Sequence, residues 1–206
     1  MIDPRTVEQG SAEWLQLRLG CVSASTVSDV MAKGRNGESA TRNKLKLKLA
    51  AERMTKQVQE SFTSAAIEWG REQEQFAAMA YEAERGVFLE KTGWWTHPTI
   101  QWLGVSPDRL LDGDGLVEIK CPNSTTMIDW IFADRVPPEY IKQIQCQLWV
   151  TARKYCDFCA YDKRLPKRNQ LWIKRVERDN DLIKTMEAEV VTFLSEVDEL
   201  VKSLEA

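Results

Sequence analysis

The stretch from Ser106 to Pro122 constrains this chain more than any other. An apolar run of β formers, Leu103 to Leu111, leads into Asp112-Gly113-Asp114-Gly115, a turn sequence because Asp-Gly tolerates positive φ. Leu116 to Cys121 then alternates apolar and charged residues, as a strand does. Side chains two apart on a strand share a face, so Glu118 and Lys120 point one way and Val117 and Ile119 the other, towards a core. A hairpin closed around Gly113-Asp114 sets Asp108 roughly opposite Glu118. Two carboxylates and an ammonium then converge, which suits a hard divalent cation and a lysine beside an attacking water. Cys121-Pro122 stops the strand directly after the lysine, as a site at a sheet end requires. The competing reading is a solvated hairpin with one surface ion pair, since acid-x-Lys tripeptides are common.

A third acid bears on that choice. A helix opening at Thr63 or Ser64 and running to about Arg85, closed by Gly86, carries Ile67, Gly70, Glu74, Ala77, Ala78 and Tyr81 on one stripe. Glu68, Glu72, Gln75 and Glu82 take the wetter faces. An inward carboxylate such as Glu74 is costly unless a charge or a metal meets it.

The remaining elements follow by pattern. Ser11 caps a short helix, Ala12 to Leu19, ended by Gly20 with Arg18 in its last turn, and Ser23-Ala24-Ser25 opens a second, Thr26 to Lys33. Hydroxyls and free N–H groups near Arg18 form a phosphate seat or a plain N-cap. Arg35 sits in the loop that follows. Lys44-Leu45-Lys46-Leu47-Lys48-Leu49 alternates like a strand, but the length and helix formers of Thr41 to Lys56 argue helix. Val87 to Trp95 reads as a strand. Ser124 to Ala133 and Glu139 to Arg153 read as helices, the second carrying Gln143, Gln145 and Gln147 among apolar residues. Such glutamines either bind phosphates or metal-bound water or are ordinary helix polars. Tyr155 to Tyr161 and Gln170 to Glu177 are strands around a basic loop, Lys163 to Arg168, and Asp179 caps a final helix to about Leu204. This order gives an α/β domain with a central mixed sheet flanked by helices.

Charge is distributed unevenly on a chain of net −3. Lys33 to Lys56 is strongly basic and the tail from Glu177 acidic. A basic block on an acidic chain focuses a polyanion into one cleft, or is simply a solvated helix face. At 206 residues the chain is expected to be one domain. No apolar run approaches a membrane span and Met1 to Arg5 is no signal peptide, so a cytoplasmic protein with no membrane partner is expected. The five cysteines are expected to be reduced core thiols. His97 is the only histidine, so histidine-based nucleophilic mechanisms have a single candidate, whereas a carboxylate–metal mechanism needs none.

Asp108 followed by Glu118-Ile119-Lys120, on a hairpin preceded by a glutamate-bearing helix, resembles the PD-(D/E)XK nuclease core, with Pro107 as the literal proline. Within that superfamily Val7 to Gly10, Trp14, Leu17-Arg18-Leu19-Gly20, Ala24-Ser25, Trp69-Gly70, Ser106-Pro107-Asp108, Glu118 to Pro122, Gln143, Gln145 and Trp149-Val150-Thr151 resemble the lambda exonuclease and YqaJ-type viral recombinase family in order and spacing. The resemblance covers nearly the whole chain. It implies a restriction-endonuclease-like fold and a Mg²⁺-dependent 5′→3′ exonuclease on double-stranded DNA, with Mn²⁺ able to substitute. Such enzymes form a trimeric ring around the duplex, release mononucleotides and leave a 3′ overhang for a single-strand annealing protein. By the same resemblance Glu74, Asp108 and Glu118, with the Ile119 carbonyl, hold metal and Lys120 positions or activates water. Arg18 and Ser25 match the 5′-phosphate pocket, Arg35 a loop arginine near the DNA end, and Gln143 a polar active-site residue. Ile67 stands where the family has an apolar residue able to wedge the duplex. Residues 1–60 would form an N-terminal end-binding part, 61–178 the catalytic core and 179–206 a C-terminal helix. The segment Asn36 to Glu60 matches poorly, leaving its DNA contacts unassigned. The alternatives are another nuclease of the superfamily (a restriction-type endonuclease or a RecB-like domain), an inactive DNA-binding module, and an acidic helical scaffold.

Overall fold

A computed structural model describes residues 2–35, 37, 39–59 and 65–205. Its first half contains helix α1 (Ala12–Leu17), strand β1 (Val22–Ser23), and helices α2 (Val27–Val30), α3 (Ala40–Thr55) and α4 (Ala65–Arg85). Strands β2 (Trp95–Thr96), β3 (Leu103–Val105), β4 (Arg109–Leu110) and β5 (Gly115–Lys120) follow. Helices α5 (Ser124–Ala133) and α6 (Pro138–Thr151), strands β6 (Tyr155–Tyr161) and β7 (Leu171–Glu177) and helix α7 (Asn180–Glu205) complete it. The expected opening of α4 at Thr63 or Ser64 and the side chain of Ile67 lie outside the described residues. No helix among the described residues is long and apolar enough to cross a membrane.

The helices begin where side chains can take the orphan N–H groups of the first turn. Ser11 accepts from the Trp14 amide at 3.2 Å. Asn123 accepts from Thr126 at 2.9 Å. Asp179 accepts from both Asp181 and Leu182 at 3.0 Å. The ambiguous lysine–leucine stretch is helical because Leu45 and Leu49, one turn apart, both reach the core. Leu47, which a strand would have placed with them, stays 53 % exposed.

The mixed sheet is divided in two. A three-stranded sheet runs β1-β3-β2 and a four-stranded sheet runs β4-β5-β6-β7. The apolar run from Leu103 to Leu111 is therefore not one hairpin arm, because β3 and β4 belong to different sheets and Ser106-Pro107-Asp108 is the seam between them. Pro107 has no N–H to give a ladder, so pairing stops there. The turn between β4 and β5 forms as expected, with Gly113 at φ 79°. Strand β5 pairs antiparallel with β4 and parallel with β6, and β6 pairs antiparallel with β7.

The expected strand from Val87 to Trp95 is a correction. Among the described residues it keeps one bridge, Glu90 to Leu110, before the short β2. Its backbone instead serves the N-terminal turn: Gly93 donates to the Arg5 carbonyl at 2.6 Å and Trp94 to Pro4 at 2.9 Å. The approach is so close that a Cβ on Gly93 would stand 2.3 Å from the Val7 oxygen. Alternation alone could not reveal that these groups bond a distant loop.

Three apolar clusters hold the layers. Val117, Ile119 and Cys159 pack one face of the four-stranded sheet under Ala77, Ala78 and Tyr81 of α4. Leu116, Cys156 and Phe158 pack the other face against Met127 and Trp130 of α5 and Ile144 and Leu148 of α6. The third cluster joins α2, α3, α7 and the smaller sheet to Cys146, Trp149 and Val150 of α6. Helix α6 thus belongs to two clusters.

Candidate active site

Strand parity places the catalytic candidates. Arg109 faces Val117 and Leu110 faces Leu116 across β4 and β5, which sets Asp108 opposite Glu118 as the turn spacing demanded. The Asp108 carboxylate accepts from the Ile119 amide at 2.7 Å. Glu118 and Lys120 share a face, but that face is not open. Helix α6 covers it, and Glu118 is only 1 % exposed. Its carboxylate accepts from Gln143 at 2.6 Å, from Gln147 at 2.7 Å and from the Lys120 ammonium. Gln143 and Gln147 are one helical turn apart and so reach the same group. Gln145 points elsewhere: its amide bonds the Glu177 carbonyl and the Asp179 N–H, tying α6 to the start of α7.

Above this floor opens a cleft of about 820 Å³, whose lining includes Trp69, Glu74, Asp108, Ile119, Lys120 and Arg164. The expectation that Glu74 turns inward is met by a partner the sequence did not reveal: Arg109 donates to it at 2.6 Å. Arg109 is 7 % exposed and lies on the α4 face of the sheet, opposite in parity to Asp108. Lys120 also lies 5.2 Å from the ring centre of Tyr140.

The electrostatics are those of crowded acids. Burial, then the charge of Glu118, pushes the Asp108 carboxyl well above its ordinary value. Burial alone would push the Lys120 ammonium down, but Glu118 and Asp108 outweigh it and hold Lys120 above the ordinary lysine range. In this arrangement the two neighbouring carboxylates favour the charged form of Lys120. Among the described residues no three acidic, histidine or cysteine side chains are gathered closely enough to hold a metal ion. The donors nonetheless fit a hard divalent cation in kind, since Asp108, Glu118 and Glu74 supply oxygens and the Asp108–Glu118 repulsion is what such an ion relieves.

The remaining candidates sit apart from the floor. Arg18, at the end of α1, lies 3.9 Å from the ring centre of Trp14 and 5.8 Å from that of Trp94. Among the described residues its buried Nε has no hydrogen-bond partner. Burial lowers its pKa. Trp14 donates to the Ser106 hydroxyl at 2.8 Å, and Gln9 donates to the Pro107 carbonyl at 2.8 Å. These two bonds tie the Arg18 platform to the seam carrying Asp108. Ser25 lies exposed in a 3-10 turn with its hydroxyl 3.1 Å from that of Ser23. Arg35 is exposed in the turn before α3. His97 is structural: its Nδ1 accepts from the Ile100 amide at 3.0 Å and its ring packs edge-on against Trp149.

Sequence reasoning named Gln147 only together with Gln143 and Gln145, carrying Gln143 alone forward as a site residue, and did not mark Arg109 at all. The four-residue spacing from Gln143 was a usable signal for Gln147. Nothing in the pattern marked Arg109.

Comparison with known proteins agrees with this geometry. The model of the YqaJ-like viral recombinase domain matches residues 13–154. The alkaline exonuclease LHK-Exo from Laribacter hongkongensis superposes with a TM-score of 0.89 at 41% identity, over 95% of this chain and 96% of that one. The same enzyme in complex with dAMP matches at 42% identity, with the same TM-score and coverage. A phage-related exonuclease from Haemophilus somnus 129PT shares the fold, with a TM-score of 0.70 at 14% identity over 92% of this chain and 99% of that one. No curated protein matches. The chain belongs to the YqaJ-like viral recombinase family.

Proposed function

We propose that this chain is a Mg²⁺-dependent 5′→3′ exonuclease on double-stranded DNA, with Mn²⁺ able to substitute. It prefers 5′-phosphorylated ends, releases mononucleotides and leaves a 3′ single strand. The observation that carries the reading is the convergence of Asp108, Glu118 and Lys120 beneath one cleft. Family membership and the identity to an alkaline exonuclease support the nuclease class. The dAMP complex of that relative supports a deoxynucleoside monophosphate as the released unit.

Asp108 and Glu118, with Glu74 and the Ile119 carbonyl, are the groups that would hold Mg²⁺, which when bound supplies Lewis-acid activation of water and charge neutralisation at the phosphate. Gln143 and Gln147 fix the Glu118 carboxylate in one orientation, so little reorganisation is needed on binding. Lys120, held protonated, neutralises charge beside the reacting phosphate. The guanidinium of Arg18, with Ser25, binds the terminal 5′-phosphate, and its link through Trp14 to Ser106 sets the register between end and scissile bond. Arg35 reaches the DNA near its end. We further infer a cytoplasmic enzyme, a homotrimeric ring around the duplex and a single-strand annealing protein that takes up the 3′ overhang.

The test is incubation with Mg²⁺ and linear duplexes labelled at either end, phosphorylated or not, beside a closed circle. Loss of 5′ nucleotides from phosphorylated linear DNA with the circle intact is the expected result. A cut circle would move the protein to the endonucleases. No cutting with either Mg²⁺ or Mn²⁺ would reject the enzyme. Light scattering that gives a monomer would reject the ring.

A further inference from the structure

The cleft has a rim whose charge is opposite to that of its floor. Trp69 and Arg71 of α4 line it on one side and Arg164, in the loop after β6, on the other. The Arg164 guanidinium lies 4.8 Å from the Trp69 ring centre and the Lys163 ammonium 4.9 Å from the same centre. Lys163 also lies 5.7 Å from the ring centre of Phe76. Aromatic faces attract such cations, but two like charges on one ring repel each other.

The arrangement is built. Asp162, whose side chain is fully buried, accepts from Arg164 at 2.7 Å and from the Ser124 hydroxyl at 2.6 Å. Arg164 also donates to the Pro122 carbonyl at 3.0 Å, two residues beyond Lys120. The rim is thus fastened to the end of β5. Arg164 has Asp162 as counter-charge, but among the described residues Lys163 and Arg71 have no ion-pair partner.

We propose that Lys163 and Arg164, gathered around Trp69, form with Arg71 of the same rim a second phosphate-binding station that grips the backbone of the DNA strand entering the cleft. The station rests on the nuclease reading and adds to it. A strand threaded between rim and floor has its phosphates neutralised on the rim side, while the acids below receive only the phosphate to be cut. Backbone contacts of this kind hold register without reading sequence.

Replacing Arg164 by alanine would strip buried Asp162 of its partner, so the test uses exposed groups. Binding of a 5′-phosphorylated duplex to the full chain is measured by fluorescence anisotropy across a salt series, with Ca²⁺ and no product formation. Lys163→Glu combined with Arg71→Glu should weaken binding about tenfold or more and flatten the log Kd against log salt slope by about two. An unchanged Kd and salt slope in the double variant would overturn the station alone. A wild-type chain that binds no duplex would overturn the station together with the nuclease reading.

Discussion

The chain has two charged regions, and they handle charge in opposite ways. Between α3 and α7, Arg42, Lys46 and Arg53 each meet an acid from the other helix, while Lys48 pairs with Glu52 of its own helix. Arg42 forms a two-pronged pair with Glu196 at 2.7 and 2.8 Å, Lys46 reaches the same carboxylate at 3.3 Å, and buried Arg53 pairs with Asp198. In the cleft Glu74 meets Arg109 and Glu118 meets Lys120, but among the described residues Asp108 has no ion-pair partner and Lys163 shares the Trp69 ring with a second cation, Arg164. The seam is balanced and holds structure together, whereas the cleft keeps an imbalance that a metal ion and a phosphate would correct. The sequence showed a basic block and an acidic tail, and both looked available to partners. Three cations of the block, Arg42, Lys46 and Arg53, turn out to answer the tail.

The contrast can be broken at several points. The largest effect is expected in the cleft. Lys120→Ala should lower turnover about 10²–10⁴-fold while duplex binding by anisotropy stays near wild type. Retained turnover would remove the lysine from the chemistry. Gln147→Leu should lower kcat about 10–100-fold through a misoriented Glu118, in contrast to Gln145→Leu, which should lower the melting temperature and spare kcat. Equal kinetic losses in both would reduce Gln147 to packing. Arg18→Ala should slow attack on phosphorylated ends about tenfold and leave hydroxyl ends unaffected, measured as the ratio of the two rates. Equal slowing would reject the pocket.

The smallest effect is expected at the seam. Glu196→Gln should cost about 0.5–1 kcal/mol in chemical denaturation and leave kcat unchanged. Hydrogen bonds from Arg42 hold the Glu196 carboxyl below its ordinary value of 4.5. A depressed folded pKa gives stability that is present above the unfolded pKa and lost as pH falls through the folded one. The stability gap between wild type and this variant should therefore close as pH drops below 4.5. A gap that persists at lower pH would mean that the seam is held by packing.

Much of the site was legible because it is local. The opposition of Asp108 and Glu118 follows from turn length, the shared face of Glu118 and Lys120 from strand parity, and the inward position of Glu74 from helical spacing. What failed to show was long-range. The cover of α6 over Glu118, the reach of Arg109 to Glu74 and the diversion of the Gly93 and Trp94 amides to the N-terminal turn depend on partners dozens of positions away. No local period encodes them. Lys163 and Arg164 read only as part of a basic loop, since their relation to Trp69 spans the whole catalytic core.

Helix α6 fixes Glu118 through Gln143 and Gln147 while its other side chains are locked into two separate apolar clusters. The orientation of the Glu118 carboxylate is therefore tied to residues packed away from the cleft. Substitutions at Trp149, Val150 or Phe193, in the cluster that seats α6, should turn Glu118 without touching it.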